Sequence, residues 1–161
     1  MQVASLKEFK EELKHLDKSA LSELVLQFIR FKKDNKELLQ YLLFEQHRER
    51  DYILDIKEEI EEAFKNINTS SYFLMKKTIR KQLRLLKKYL RYSKKKNTEV
   101  ELILHFCKEL SLLEPSIQNS KVLMSIFHRE IERNEKIIDS LHEDLQYDYL
   151  REIEELKAKS E

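Results

Sequence analysis

Glycine is absent from this chain of 161 residues, and proline occurs once. Without glycine there are no cheap left-handed backbone positions, so tight hairpin turns and phosphate-cradling loops are hard to build. Almost without proline, only side-chain chemistry interrupts a helix. These two absences predict an all-α protein. They also remove most of the loop motifs that mark an enzyme.

The apolar spacing divides the chain into helices. Ser5 and Glu8 read as a capping box, with Leu6, Phe9, Leu13 and Leu16 as one stripe. Asp17 caps a second helix striped by Leu21, Leu24, Val25, Phe28 and Phe31, and Asp34 or Asn35 caps a third that turns Leu38, Leu39, Leu42 and Leu43 inward. A fourth carries Ile53, Ile56, Ile60, Ala63, Phe64 and Ile67 and ends in the cap-forming run from Asn66 to Ser71. The fifth runs from about Tyr72 to Lys95 with Met75, Ile79, Leu83, Leu86 and Leu90 inward. Asn97 or Thr98 starts a sixth, with Val100, Ile103, Leu104, Cys107 and Leu110 inward, and Glu114-Pro115 ends it. From Gln118 to Lys159 the helical spacing continues; as one rod it would be about 60 Å long, so a break is expected at Arg133-Asn134 or at Gln146 to Asp148.

The length suits a single all-helical domain over 1–161, with a helical-hairpin core in 1–114 and a long helix or helix pair in 116–161. About seven or eight helices with short connections place neighbours antiparallel, as a bundle or a short HEAT-like solenoid. A coiled coil is disfavoured, because Asn134 and Asp148 fall on the seam of a heptad begun at Ile131. Oligomeric state is not legible. One cysteine excludes an intrachain disulfide and fits a reducing compartment, the N-terminus is too polar for a signal peptide, and no apolar run could span a membrane. The sequence therefore predicts a cytoplasmic protein with no membrane association.

A net charge of +1 conceals segregation. No acidic residue lies between Met75 and Asn97. On a helix, Lys77, Lys81, Arg84, Lys88, Arg91 and Lys95 form one ridge, broadened by Lys76, Arg80, Lys87 and Lys94. The preceding helix is acidic, with Glu45, Glu49, Asp51, Asp55, Glu58, Glu59, Glu61 and Glu62; the last segment is acidic too. The ridge is either cancelled by those helices or offered to a partner. As a docking surface it suits an acidic protein. Alternatively it binds nucleic acid, with Tyr89 and Tyr92 beside Arg91 for base stacking. The other tyrosines, Tyr41, Tyr52, Tyr72, Tyr147 and Tyr149, read as rings packed at the core margin.

The chemistry-bearing pairs are weaker. Glu12 with His15 and Asp139 with His142 have the spacing of di-iron bundles, but the stripes show no buried carboxylate to complete such a site. His105 and Cys107 are too close along one helix for a nucleophile pair; Cys107 lies on the apolar stripe and His105 at its edge. His128 and Glu132 read as a surface pair, and His47 as solvated. No catalytic residue, metal ligand or cofactor is expected.

Two stretches carry a resemblance: Leu21-Ser22-Glu23-Leu24-Val25-Leu26 followed by Asn35-Lys36-Glu37-Leu38-Leu39, and Lys76-Lys77-Thr78-Ile79-Arg80-Lys81 leading into Leu85-Leu86-Lys87-Lys88-Tyr89. In them the chain resembles small all-helical bacterial cytoplasmic proteins of unknown function. The resemblance implies helices and a cytoplasmic setting, and no activity or site residue. The expectation is a non-enzymatic interaction or scaffold protein that docks an acidic partner through the basic helix.

Overall fold

The computed structural model describes residues 2–160. They form eight α-helices and, among the described residues, no strand: α1 (Leu6–Lys14), α2 (Lys18–Phe31), α3 (Lys33–Gln40), α4 (Glu49–Lys65), α5 (Tyr72–Ser93), α6 (Lys96–Ser111), α7 (Lys121–Ile138) and α8 (Glu143–Ser160). A π-helical turn, Tyr41–Glu45, follows α3, and a 3₁₀ turn, Ile117–Asn119, precedes α7. The fold is all-α.

Capping chemistry sets most starts. Ser5 and Glu8 form the capping box of α1. Asp17 accepts from the Ala20 amide, Ser71 from Leu74 and Ser120 from Leu123. Two starts differ from expectation. α3 begins at Lys33 without a side-chain cap, because the Asn35 amide instead donates to the Phe28 carbonyl. α6 begins at Lys96, also without one. The chain reaches it through Lys94, which adopts φ 56°, the left-handed cap normally filled by glycine.

The chain divides into two compact units, 1–45 and 46–161. The second unit is built on α6. Val100, Leu102, Ile103, Leu104, Phe106, Cys107 and Leu110 are all buried on it, so apolar residues occupy more than one face. Such a helix must be covered on several sides. α4, α5, α7 and α8 pack against it. A central helix with neighbours all round is a bundle and not a row of hairpins. The predicted stripes of α4 and α5 are buried, except that Ala63 and Ile67 are half-buried. The core runs through Pro115, since α6 packs on both α7 and α8.

The C-terminal segment does break, but at 139–142. Neither predicted position breaks. Asn134 stays helical because its amide, buried in the core, donates to the Val100 carbonyl of α6 at 3.0 Å. Gln146 instead holds the break, its amide donating to the Asp139 and Leu141 carbonyls.

In the first unit α2 packs on α3, and α3 on the π-helical turn. None of α1, α2 or α3 has a buried residue. The inward placement of Leu42 and Leu43 is corrected: both are exposed, and Tyr41 is the buried residue there. The wider π-helical turn closes each hydrogen bond over one more residue than an α-helix and rotates the stripe past these leucines.

Candidate functional site: the basic face of α5

α5 presents three faces. Met75, Ile79, Leu83, Leu86 and Leu90 are buried. Lys87 lies at one edge of the basic surface and reaches α7; Lys95, expected on this helix, lies past its end at Ser93 as the N-cap of α6 and reaches α4. Between them, Lys77, Arg80, Lys81, Arg84 and Arg91 are exposed, and none forms an ion pair among the described residues. Lys77 to Arg91 spans about 21 Å along the axis.

The edges show how far the acidic helices cover this surface. Lys95 Nζ lies 2.8 Å from Glu49 Oε2 of α4, and the other oxygen of that carboxylate accepts from Ser93 and Thr98. The Tyr89 hydroxyl donates to Glu59 of α4. On the other side, Lys87 Nζ lies 2.8 Å from Glu130 Oε1 of α7. Lys88 is half-buried, with its ammonium 5.5 Å from the Tyr89 ring centre. Of the six predicted ridge residues, Lys77, Lys81, Arg84 and Arg91 thus stand open, Lys88 is half-covered, and Lys95 is bound to α4. Tyr89 and Tyr92 are half-buried and tilted against each other at 6.4 Å, with the Tyr89 hydroxyl engaged by Glu59.

Glu130 was not anticipated. It is fully buried, its Oε1 accepting from Lys87 and, at 3.2 Å, from Arg129, while Oε2 has no hydrogen-bond partner within the protein. The expectation that no carboxylate is buried is therefore corrected. The sequence places Glu130 one residue before the Ile131 stripe, and only the pairing of α5 with α7 shows what receives it. Cys107 is buried, and burial together with the Glu130 charge pushes its thiol pKa well above the ordinary range.

No family model, curated protein or solved structure matches the chain. Function rests on the site itself.

The remaining histidines separate into scattered and grouped ones. Glu12, His15, Asp139 and His142 are exposed; His142 Nδ1 lies 3.4 Å from Asp144, and among the described residues neither pair belongs to a group of three possible ligands. His128 packs edge-on against Phe127 and makes no ion pair with Glu132. His105 is different. Its Nε2 lies 3.1 Å from Glu61 Oε1 of α4, and Glu109 follows one turn later on α6. Burial lowers the His105 pKa, opposed by the Glu61 charge and reinforced by Lys57 and Lys108. Burial, aided by Glu61, raises that of Glu109. The i, i+4 spacing of His105 and Glu109 was a usable signal, whereas Glu61 joins them only once α4 is known to pack on α6.

Proposed function

We propose that this protein is a non-enzymatic docking module that binds an acidic helix or acidic protein surface along α5. The observation that carries this reading is the open row Lys77, Lys81, Arg84 and Arg91, exposed and without ion pairs among the described residues. Unpaired cations on one rigid helix form a local field that steers an anionic partner even when net charge is near zero. Width favours a protein over nucleic acid. The row is one helix face, flanked by the Glu49 and Glu59 carboxylates of α4. A partner helix about 10 Å across fits such a strip, whereas a phosphate backbone tracking beyond it meets those carboxylates. The non-enzymatic reading draws on Cys107, whose buried, pKa-raised thiol is a poor nucleophile. The single cysteine favours a cytoplasmic setting, and no described helix is long and apolar enough to cross a membrane. The bacterial resemblance accords with that setting.

Fluorescence anisotropy tests the reading with two probes, a labelled acidic helical peptide and a labelled single-stranded oligonucleotide. The peptide should bind at low salt and weaken as the Debye length falls from about 30 Å at 0.01 M to about 8 Å at 0.15 M. Lys81→Glu with Arg84→Glu should abolish binding, while Lys10→Glu on α1 should not. Tighter oligonucleotide binding at equal salt would replace this reading with nucleic-acid recognition. Binding of neither probe would discard both.

A further inference from the structure

We propose that Glu61, His105 and Glu109 bind one divalent transition-metal ion of the Zn2+ class, which ties α4 to α6. The ligand atoms all lie within 4.8 Å of one another, and they come from two helices packed together in the same unit. His105 and Glu109 share one face of α6 at i, i+4, the spacing at which two side chains converge on a single point.

The Nε2 atom carries the argument. It is inaccessible to solvent and makes no hydrogen bond, although Glu61 Oε1 is only 3.1 Å away. The contact is thus close but misaligned for an N–H donor. Two ligands of a tetrahedral ion, each about 2.0–2.1 Å from it, lie about 3.3 Å apart. The 3.1 Å between Nε2 and Glu61 Oε1 is close to that separation, and all three ligand atoms lie within 4.8 Å of one another. A neutral imidazole whose Nε2 makes no hydrogen bond keeps that lone pair for an ion.

Charge points the same way. Glu61 and Glu109 repel each other's ionised forms, so a cation between them relieves a cost that packing imposes. The nearby ammonium of Lys57 is already committed to Glu101 at 2.6 Å, and Lys108 is exposed. One imidazole and two carboxylates form a borderline donor set that suits Zn2+, Co2+ or Mn2+ better than Ca2+, which takes oxygen ligands only. Glu61 is more than half exposed, which gives an ion an entry path and leaves room for water in the remaining coordination position.

The test is titration of the full chain, stripped with a chelator, with Co2+ read by its visible d–d absorption and with Zn2+ as competitor. One equivalent should saturate a band that Zn2+ displaces, and saturating Zn2+ should raise the melting temperature. His105→Gln should abolish the band, and Glu109→Gln and Glu61→Gln should each weaken binding at least about ten-fold. No saturable band, or an unchanged band in His105→Gln, would overturn the proposal. If His105→Gln loses its far-UV helical signal, Glu61→Gln decides, because Glu61 is a surface residue; unchanged affinity in that variant would overturn the proposal equally. The outcome is independent of the docking reading, since Lys81→Glu with Arg84→Glu leaves these three ligands in place.

Discussion

Residues 1–45 and 46–161 carry the same kind of helical stripe, yet the two units treat it differently. In the second unit Phe106 is fully buried and meets Phe64 edge-on at 5.4 Å. In the first, Leu6, Phe9 and Phe31 all lie at the surface, Phe31 at 86% exposure. Its apolar side chains line an open groove of about 260 Å3 formed by Val25, Phe28, Ile29, Leu38, Leu39 and Leu42. Amphipathic spacing therefore tells which face of a helix is apolar, and nothing about whether that face is covered. Coverage depends on how many neighbours a helix has. α6 packs on α4, α5, α7 and α8, whereas in its own unit α2 packs chiefly on α3.

The contrast is sharpest for paired truncations. Phe106→Ala should cost about 3–5 kcal/mol, the toll of emptying a filled core site. Phe31→Ala should stay within about 0.5 kcal/mol, as for an exposed position. Urea unfolding followed by circular dichroism measures both. Equal effects would mean that the first unit has a core its exposures do not show.

Ion pairs divide in the same way. Lys87 neutralises a carboxylate with no solvent exposure, whereas in the first unit the exposed Lys33 meets the half-buried Glu37 at 3.5 Å. Lys87→Met leaves Glu130 with Arg129 alone, and should cost about 1.5–3 kcal/mol, the range for a hydrogen bond to a charged group. Lys33→Met should cost less than about 0.5 kcal/mol. Lys81→Met, about 1.7 turns from Lys87 on α5, should resemble Lys33→Met, because Lys81 stands in water. A large loss in Lys81→Met would show that the open row is internally compensated, and would remove the support for docking.

Links between helices give a smaller contrast. α2 passes to α3 through Lys32 at φ −147° and ψ 135°, extended geometry open to any residue. α5 passes to α6 through Lys94 at φ 56°, where the Cβ crowds the following carbonyl. Lys94→Gly should therefore gain up to about 1 kcal/mol, the relieved strain less the entropy of glycine. Lys32→Gly should gain nothing. Melting temperature reads both.

How much of this was legible follows from the same physics. The α5 stripe and its cations were readable because one helix fixes its own faces: every residue predicted inward on α5 is buried. The break after Ile138 was not. Asn134 looked like a helix breaker on local propensity, and its bond to Val100 is a contact between helices that spacing along one of them cannot reveal. The helix starts at Lys33 and Lys96 were missed for a related reason: Asn35 spends its side chain on another helix, and a lysine fills a position where a sequence reader looks for glycine. The candidate site was half legible. The open cations belong to α5 alone, whereas Glu130 under Lys87 and Glu61 beside His105 depend on which helices meet.

The smallest effect tests the one feature of the first unit that is complete in itself, the capping box of α1. Glu8 accepts from the Ser5 amide at 2.7 Å and from the Ser5 hydroxyl, and these bonds hold its carboxyl below the ordinary carboxylate pKa. A carboxyl whose pKa is lower folded than unfolded contributes stability that is present above the unfolded value of about 4.3 and fades as pH falls through the folded value. Acid should therefore fray α1 from its start. The Ser5 amide proton, followed by NMR, should lose its downfield shift only below about pH 4.3, and Glu8→Gln should weaken that dependence. Because α1 buries no residue, this fraying should proceed without the cooperative loss of α6. Simultaneous melting of α1 and α6 in the same acid titration would show that the two units unfold as one.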